Sequence, residues 1–282
     1  MLRKAFLLII LTIKALAQVP DTPLLENIRV DSTAPHRYRV GGFGIGISTM
    51  RDNLLSPLRY NGITIGSPSS TWTFKNSGWL ILNRSLYSIS IDSSSARRGN
   101  LITTLNYGFQ KHYLKAVNRY DYLKKFYWGG FFEVMGSLRT SIGNVNNVLS
   151  YDVGIGIGPS VMFRNRVKVG KSNLDIFNQF STVLAGIYFR PQYSWSFPAQ
   201  DSEKNKLYPN FVMGSVNVHR HFDYRLSVDF YQRETKGMFR KRKLMRKVAY
   251  RVSYGWQYRE FTEPSVFKRG QHLLQFGPII KL

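Results

Sequence analysis

The chain alternates apolar and polar residues with a period of two, over runs much longer than ordinary strands. The clearest run is Val248 to Arg259. Val248, Tyr250, Val252, Tyr254, Trp256 and Tyr258 alternate there with Ala249, Arg251, Ser253, Gly255, Gln257 and Arg259. Successive side chains of an extended strand point to opposite faces, so one face is apolar and aromatic and the other small or polar. Tyr224, Leu226, Val228 and Phe230 repeat the pattern against Arg225, Ser227, Asp229 and Arg233. Tyr151, Val153, Ile155, Ile157, Val161 and Phe163 repeat it against Asp152, Gly154, Gly156, Gly158 and Ser160, and Leu101 to Tyr113 does so more weakly. The helical period of 3.6 fits none of these stretches.

Globular strands average about 5 to 6 residues, whereas a strand tilted across a bilayer needs about 9 to 11. These runs exceed the second figure. Turn signals punctuate them at Asn76-Ser77-Gly78, Arg97-Arg98-Gly99-Asn100, Gly143-Asn144, Gly170-Lys171-Ser172-Asn173 and Lys236-Gly237. Tyr and Trp gather near run ends, as in the interfacial girdles of membrane barrels (Trp72, Trp79, Tyr113, Trp128, Trp195, Tyr258). A soluble sandwich would alternate as well, but with a dry aliphatic core and a freely charged outer face. Here the face of Arg, Gln, Ser and Gly suits a wet lumen enclosed by lipid-facing aromatics.

Composition closes several other classes. The 282 residues contain no cysteine, which removes disulfide frameworks, thiolate metal sites and a lipid anchor on an N-terminal cysteine. A hydrophobic content of 43% with 15% aromatics is too high for a disordered polycation. The 40 Lys and Arg against 16 Asp and Glu, a formal charge of +24, would suit a nucleic-acid binder taken alone. The N-terminus argues otherwise. Residues 1–17 read as a secretory signal peptide: Arg3 and Lys4, an apolar run from Ala5 to Ile13, and an Ala15-Leu16-Ala17 cleavage site. Cleavage after Ala17 leaves Gln18 as the first mature residue, lowers the charge to +21, and makes nucleic acid an unexpected partner. The apolar run is too short for a helical span, and no later segment approaches about 18 consecutive apolar residues. Residues 18–35 are polar, carry three prolines, and read as a flexible periplasmic lead-in; 36–282 form the strand-bearing domain.

The last run, Gly270 to Leu282, alternates His272, Leu274, Phe276, Ile280 and Leu282 against Gln271, Gln275, Gly277 and Lys281 and stops at the final residue. With the signal peptide and the long strands, this resembles the bacterial outer-membrane β-barrel proteins. Their final strand ends the chain and is read by the barrel assembly machinery. The resemblance covers nearly the whole chain, although Leu282 stands where that family prefers an aromatic. It implies an all-β fold, a transmembrane antiparallel up-and-down barrel in the outer membrane of a Gram-negative envelope. Eleven candidate runs can be counted, and single-chain barrels have even numbers, so 12 strands (or 10) are expected. The alternation slips at Gly41-Gly42 and between Phe180 and Val183, where β-bulges are expected.

Recognisable chemistry is absent, and neither enzyme, metal nor cofactor is expected. Phospholipase and lipid A deacylase barrels place His and Ser two residues apart on one strand face, and none of His36, His112, His219, His221 and His272 is followed by Ser at that spacing. Omptin-type proteases need paired aspartates and an Asp-His couple. His221 and Asp223 lie two apart, in an expected turn, and read as an ordinary hydrogen-bonded pair. Gly41 to Gly46 superficially resembles a phosphate loop, but no helix follows it.

The functional clue is where the positive charge falls. Arg225, Arg233, Lys247, Arg251 and Arg259 share the inward phase of their strands, so a basic lumen is expected. Either these residues attract anions, in a small pore or a ligand-binding barrel, or they pair with Asp229, Glu133 and Asp152 to fill a closed barrel. A denser cluster, Lys236, Arg240, Lys241, Arg242, Lys243, Arg246 and Lys247, forms a long connection between two strands. Facing outward it would meet lipopolysaccharide phosphates. Strand parity counted back from a periplasmic C-terminus makes it periplasmic, where an acidic envelope protein is a candidate partner and plain solvation is the commoner use. The bilayer itself is the remaining expected partner.

Overall fold

The computed structural model describes residues 36–282, except residue 95 and the stretches 97–99, 118–125, 143–148, 170–171, 192–208, 216–217, 232–248 and 263–265. The segments expected as signal peptide, cleavage site (Ala17, Gln18) and lead-in lie outside the described residues, as do Arg233 and the basic connection from Lys236 to Lys247.

All regular structure among the described residues is strand: β1 (His36–Gly41), β2 (Phe43–Asp52), β3 (Ser56–Phe74), β4 (Trp79–Ser94), β5 (Leu101–Ala116), β6 (Phe126–Ile142), β7 (Leu149–Val169), β8 (Ser172–Thr182), β9 (Ala185–Pro191), β10 (Pro209–Ser215), β11 (His219–Tyr231), β12 (Ala249–Phe261) and β13 (Phe267–Lys281). Every pairing is antiparallel. Pairing runs from β3 in chain order to β8, then through β11, β12 and β13, and β13 returns to β1 and β2, so the sheet closes on itself. β1 and β2 keep one register across Gly42 against both neighbours and form a single strand, whose register with β3 shifts only at its far end, between Met50 and Asp52. Ten strands therefore close the barrel. β9 and β10 continue β8 and β11 as a hairpin laid along β7, which makes twelve. The odd count of eleven runs arises because β8 and β9 read as one run while β10 and β11 read as two.

Of the two expected slips, one is a bulge and one is not. β7 pairs Ser160 with Ser181 but Ile157 with Ala185, so the register moves by one residue across Val183 and Leu184. Leu184 and Ala185 are consequently both exposed. At Gly42 the register is continuous. The ladder thins there because the opposing residue is Pro68, which has no N–H to donate; its carbonyl still accepts from the Gly42 N–H at 3.1 Å. The β3–β4 turn is closed by Gly78, whose φ of 78° is the left-handed conformation this tight connection needs.

The alternation becomes an inside and an outside. Ile47, Ile63, Ile91, Tyr87, Trp128, Ile157 and Phe276 are among the large apolar residues that stay exposed on the outer wall. In water a patch of this extent would be anomalous, whereas around a closed barrel it is the lipid-facing band. The chain is thus an outer-membrane β-barrel. Inside, Val40, Trp72, Leu80, Leu82, Leu114, Tyr127, Met162 and Phe177 pack together toward the end that holds the termini. Met50, Leu55, Tyr60, Ile102, Phe131, Met135, Tyr188, Phe261 and Phe267 pack toward the opposite end. The ring of Tyr188 occupies space left by Gly154 and Gly156 on β7, where added Cβ atoms would run into it. A polar layer lies between these two clusters.

Candidate functional site

Among the described residues eight arginines point inward: Arg84, Arg139, Arg164, Arg190, Arg225, Arg251, Arg259 and Arg269. Seven carboxylates join them: Asp52, Asp92, Glu133, Asp152, Asp175, Asp223 and Asp229. Among the described residues the lining is therefore nearly balanced in charge, as the alternative of arginines paired with Asp229, Glu133 and Asp152 in a closed barrel requires. Where the lumen is filled by side chains, inward positions are cut off from bulk water, and charges buried there are stabilised by opposite charges.

The balance is uneven in space. Toward the end away from the termini, Asp52 holds two guanidiniums, with Arg139 Nε at 2.9 Å and Arg190 Nη2 at 2.6 Å. Arg139 also binds Asp152, and the Phe267 ring lies under both arginines. Toward the terminal end, Arg251 donates Nε and Nη2 to Asp229 at 2.5 and 2.7 Å and Nη2 to the Tyr38 hydroxyl at 3.1 Å. Its guanidinium lies 4.2 Å from the Trp72 ring centroid. This predicted lumen residue is thus fully occupied by its neighbours.

Between them lies a cavity of about 50 Å3, lined by Arg84, Arg225, Arg259, Arg269, Glu133, His221, Gln257 and Gln271 among others. Arg84 reaches Asp223 at 3.7 Å and donates to Gln179 at 2.5 Å and Gln110 at 3.3 Å. Arg225 donates to Gln275 at 3.0 Å, and Arg269 donates to Asn106 and, at 3.2 Å, to Ser90. Among the described residues no carboxylate lies within 4 Å of Arg225, Arg259 or Arg269. The Nε atoms of all four arginines, with His221 Nε2 and Gln271 Nε2, are buried and lack a hydrogen-bond partner there. By the usual allowance of about 10 to 15 Å3 per water, the space holds roughly four waters or one small polyatomic ion.

Three of the predicted basic residues are therefore placed in the lumen, in two different roles: Arg225 and Arg259 at the cavity, Arg251 in an ion pair. The side chain of Lys247, like that of Arg233, is outside the description. Arg84 and Arg269 were missed, because Leu82-Asn83-Arg84 and the start of β13 alternate less cleanly than β12. His221 and Asp223 sit in strand β11, which corrects the expected turn. His221 Nδ1 meets Glu133 at 2.9 Å, and Asp223 accepts from Gln257 at 3.1 Å, so the two do not form a couple. A Ser-His contact does exist, unseen in the local sequence because it spans two strands that are not neighbours: His112 Nδ1 lies 3.1 Å from Ser160 Oγ.

Solved structures with the same broad architecture are remote. The outer-membrane protease OmpT from Escherichia coli aligns at 7% identity and TM-score 0.43, covering 91% of this chain and 99% of its own. The translocator domain of the autotransporter NalP from Neisseria meningitidis gives 9%, 0.39, 88% and 89%. The β domain of the Bordetella autotransporter BrkA gives 10%, 0.40, 88% and 100%. No curated protein matches the sequence. A family model matches residues 5–258, from the apolar N-terminal run to the penultimate strand, and the chain belongs to that family, described as Protein of unknown function (DUF3316).

Proposed function

We propose that this outer-membrane barrel is a binding protein for a small anion, with an occluded lumen in place of an open pore. The observation that carries the reading is the cavity between β4, β5, β6, β11, β12 and β13, where Arg225, Arg259 and Arg269 have no carboxylate within 4 Å among the described residues and Glu133, the one carboxylate in the lining, is held by His221. An unpaired buried cation costs several kcal/mol, and an anion seated against these guanidiniums removes that penalty. The aromatic clusters on either side support occlusion, since they fill the lumen with side chains where a channel needs water.

Planar-bilayer recordings on the full chain, together with thermal unfolding in phosphate, sulfate and chloride, test it. The expected result is negligible conductance and an anion-dependent rise in unfolding temperature that Arg225→Gln/Arg269→Gln abolishes. A steady anion-selective current sensitive to the same pair would replace binding by conduction. Export belongs to the same reading: intact-mass analysis of the envelope form is expected to begin at Gln18.

A second reading rests on a different observation. The connections at the terminal end (75–78, 117–125, 170–171 and 232–248) contain 13 Lys or Arg and 2 acids, against 4 and 3 in those at the opposite end (53–55, 95–100, 143–148, 192–208 and 262–266). Such polarity suits docking on an acidic periplasmic surface. Removal of residues 238–246 would then release a partner that co-purifies with the intact chain.

A further inference from the structure

We infer that the outer wall carries a binding row for a phosphorylated glycolipid headgroup, at the end of the barrel away from the termini. Four outward positions line up across consecutive strands: Arg220 on β11 opposes Glu260 on β12, Glu260 opposes Lys268 on β13, and Lys268 opposes Arg51 on β2. At about 4.8 Å per strand the row extends roughly 14 Å around the wall. It holds three cations and one carboxylate.

The carboxylate organises the row. Glu260 is only 6% exposed although its phase is outward. It takes Lys268 Nζ at 2.7 Å, lies 3.8 Å from Arg220 Nη1, and accepts a hydrogen bond from the Tyr258 hydroxyl at 2.8 Å. Arg220 and Lys268 nonetheless remain about half exposed, at 49% and 48%, and Arg51 is exposed. One carboxylate thus orients two cations without satisfying them, and the row keeps an excess of two positive charges.

Its position selects the partner. One outward step along the strands from the row come Phe222 and Tyr258, and the next step brings Tyr224 and Trp256. These four rings, on β11 and β12, have the composition of an interfacial girdle, which sits at headgroup level, while β13 and β2 bring Gly270 and Thr49 at the first step. A cationic row on the solvent side of that girdle meets lipid phosphates, and guanidinium and ammonium donors bind phosphate through charge-assisted hydrogen bonds. Free phosphate fits less well, because a row 14 Å long along a membrane wall has no enclosing pocket, whereas a headgroup carrying two phosphates touches both ends of it. The opposite end of the wall differs: Lys111 and Lys115 stand over the Tyr113 and Trp79 rings at 5.1 and 5.7 Å, with no organising carboxylate among the described residues. The dense basic connection considered for this lipid on sequence grounds joins β11 to β12 at the terminal end, so the row takes over that role.

The test uses the full chain in phosphatidylethanolamine vesicles, alone or doped with bisphosphorylated lipid A, its dephosphorylated form, or a charge-matched amount of phosphatidylglycerol. Retained lipid is counted by native mass spectrometry after mild detergent extraction. Bisphosphorylated lipid A is expected to be retained selectively, and Arg51→Gln/Arg220→Gln/Lys268→Gln to reduce retention about tenfold. Lys111→Gln/Lys115→Gln should leave it unchanged. Lys268→Gln alone, expected to fold normally, should show a smaller loss in the same direction. Equal retention by the variants, retention of the dephosphorylated lipid, or equal retention of phosphatidylglycerol overturns the inference, and free phosphate competing fully would assign the row to a soluble ion. None of these outcomes bears on the lumen cavity.

Discussion

The arginines around Asp52 and those around the lumen cavity are the same residue type in the same barrel, yet their surroundings are opposite. Arg139 and Arg190 share the Asp52 carboxylate, Arg139 also binds Asp152, and both guanidiniums lie over the Phe267 ring. Arg225 and Arg269 find only amide and hydroxyl oxygens among the described residues. A guanidinium buried in a filled lumen, as Arg139, Arg190, Arg225 and Arg269 are, keeps its proton and is cut off from bulk water, so its charge is stabilised by a nearby anion. The first group has its anions covalently in the chain and acts as a structural plug. The second is left for an anion from outside, which separates the arginines that hold the barrel shut from those available for binding.

The largest expected effect breaks the first group. Asp52→Asn leaves Arg139 with Asp152 as its carboxylate and takes the Asp52 ion pair from Arg190, a change expected to cost about 3 to 5 kcal/mol. Loss of the compact, heat-modifiable gel band at lower temperature measures it, and an unchanged transition would mean that the plug is not what stabilises that end. Asp229→Asn should come next. Arg251 loses a bidentate partner there but keeps Tyr38 and the Trp72 ring, so about 2 kcal/mol is expected in the same assay.

The cavity group should behave the other way round. Arg225→Gln and Arg269→Gln remove buried cations with no carboxylate within 4 Å among the described residues, so in chloride each should stabilise the barrel, by about 1 kcal/mol or more, where Asp52→Asn destabilises it. The contrast appears on adding anion. At a concentration about a hundredfold above the dissociation constant the wild type gains about 2.7 kcal/mol, and the variants gain nothing. A destabilisation of these variants as large as that of Asp52→Asn would erase the distinction between the two groups.

Much of this barrel was legible in the sequence because period two is local: it needs only residues i and i+2, and β7, β11, β12 and β13 carry it cleanly. The inward phase of Arg225, Arg251 and Arg259 followed from it directly. Which of them is paired did not follow, because pairing depends on register across the lumen. Arg251 meets Asp229 on the next strand, whereas Arg190 meets Asp52 from the far side of the chain, 138 residues away. Asp229, Glu133 and Asp152 stood out as candidate partners, but Asp52, Asp92 and Asp175 stand singly on β2, β4 and β8, where no charge run draws attention to them. The bulge at Val183 and Leu184 was visible as a phase slip, but Gly41-Gly42 gave a similar sign without one, since two glycines carry no side chain by which phase can be read.

The contact between His112 and Ser160, on the terminal side of the cavity, yields the smallest effect and the finest test. His112 and Ser160 touch at 3.1 Å, but both are essentially buried, and neither lines the cavity. Gln179 Nε2 donates to Ser160 Oγ at 3.2 Å, and His112 Nε2 lies 3.4 Å from Gln110 Oε1. Phe131 stacks on the imidazole with ring centroids 5.1 Å apart. Every face of the pair is therefore covered by protein, and an acyl carbonyl has no place within reach of the hydroxyl. Ser160→Ala should cost about 1 kcal/mol, the worth of one buried hydrogen bond, and leave the anion-dependent stabilisation intact. A fluorophosphonate probe should not label Ser160 in the folded barrel. Labelling there would turn a packing contact into a nucleophile and move the functional centre from the arginines to this pair.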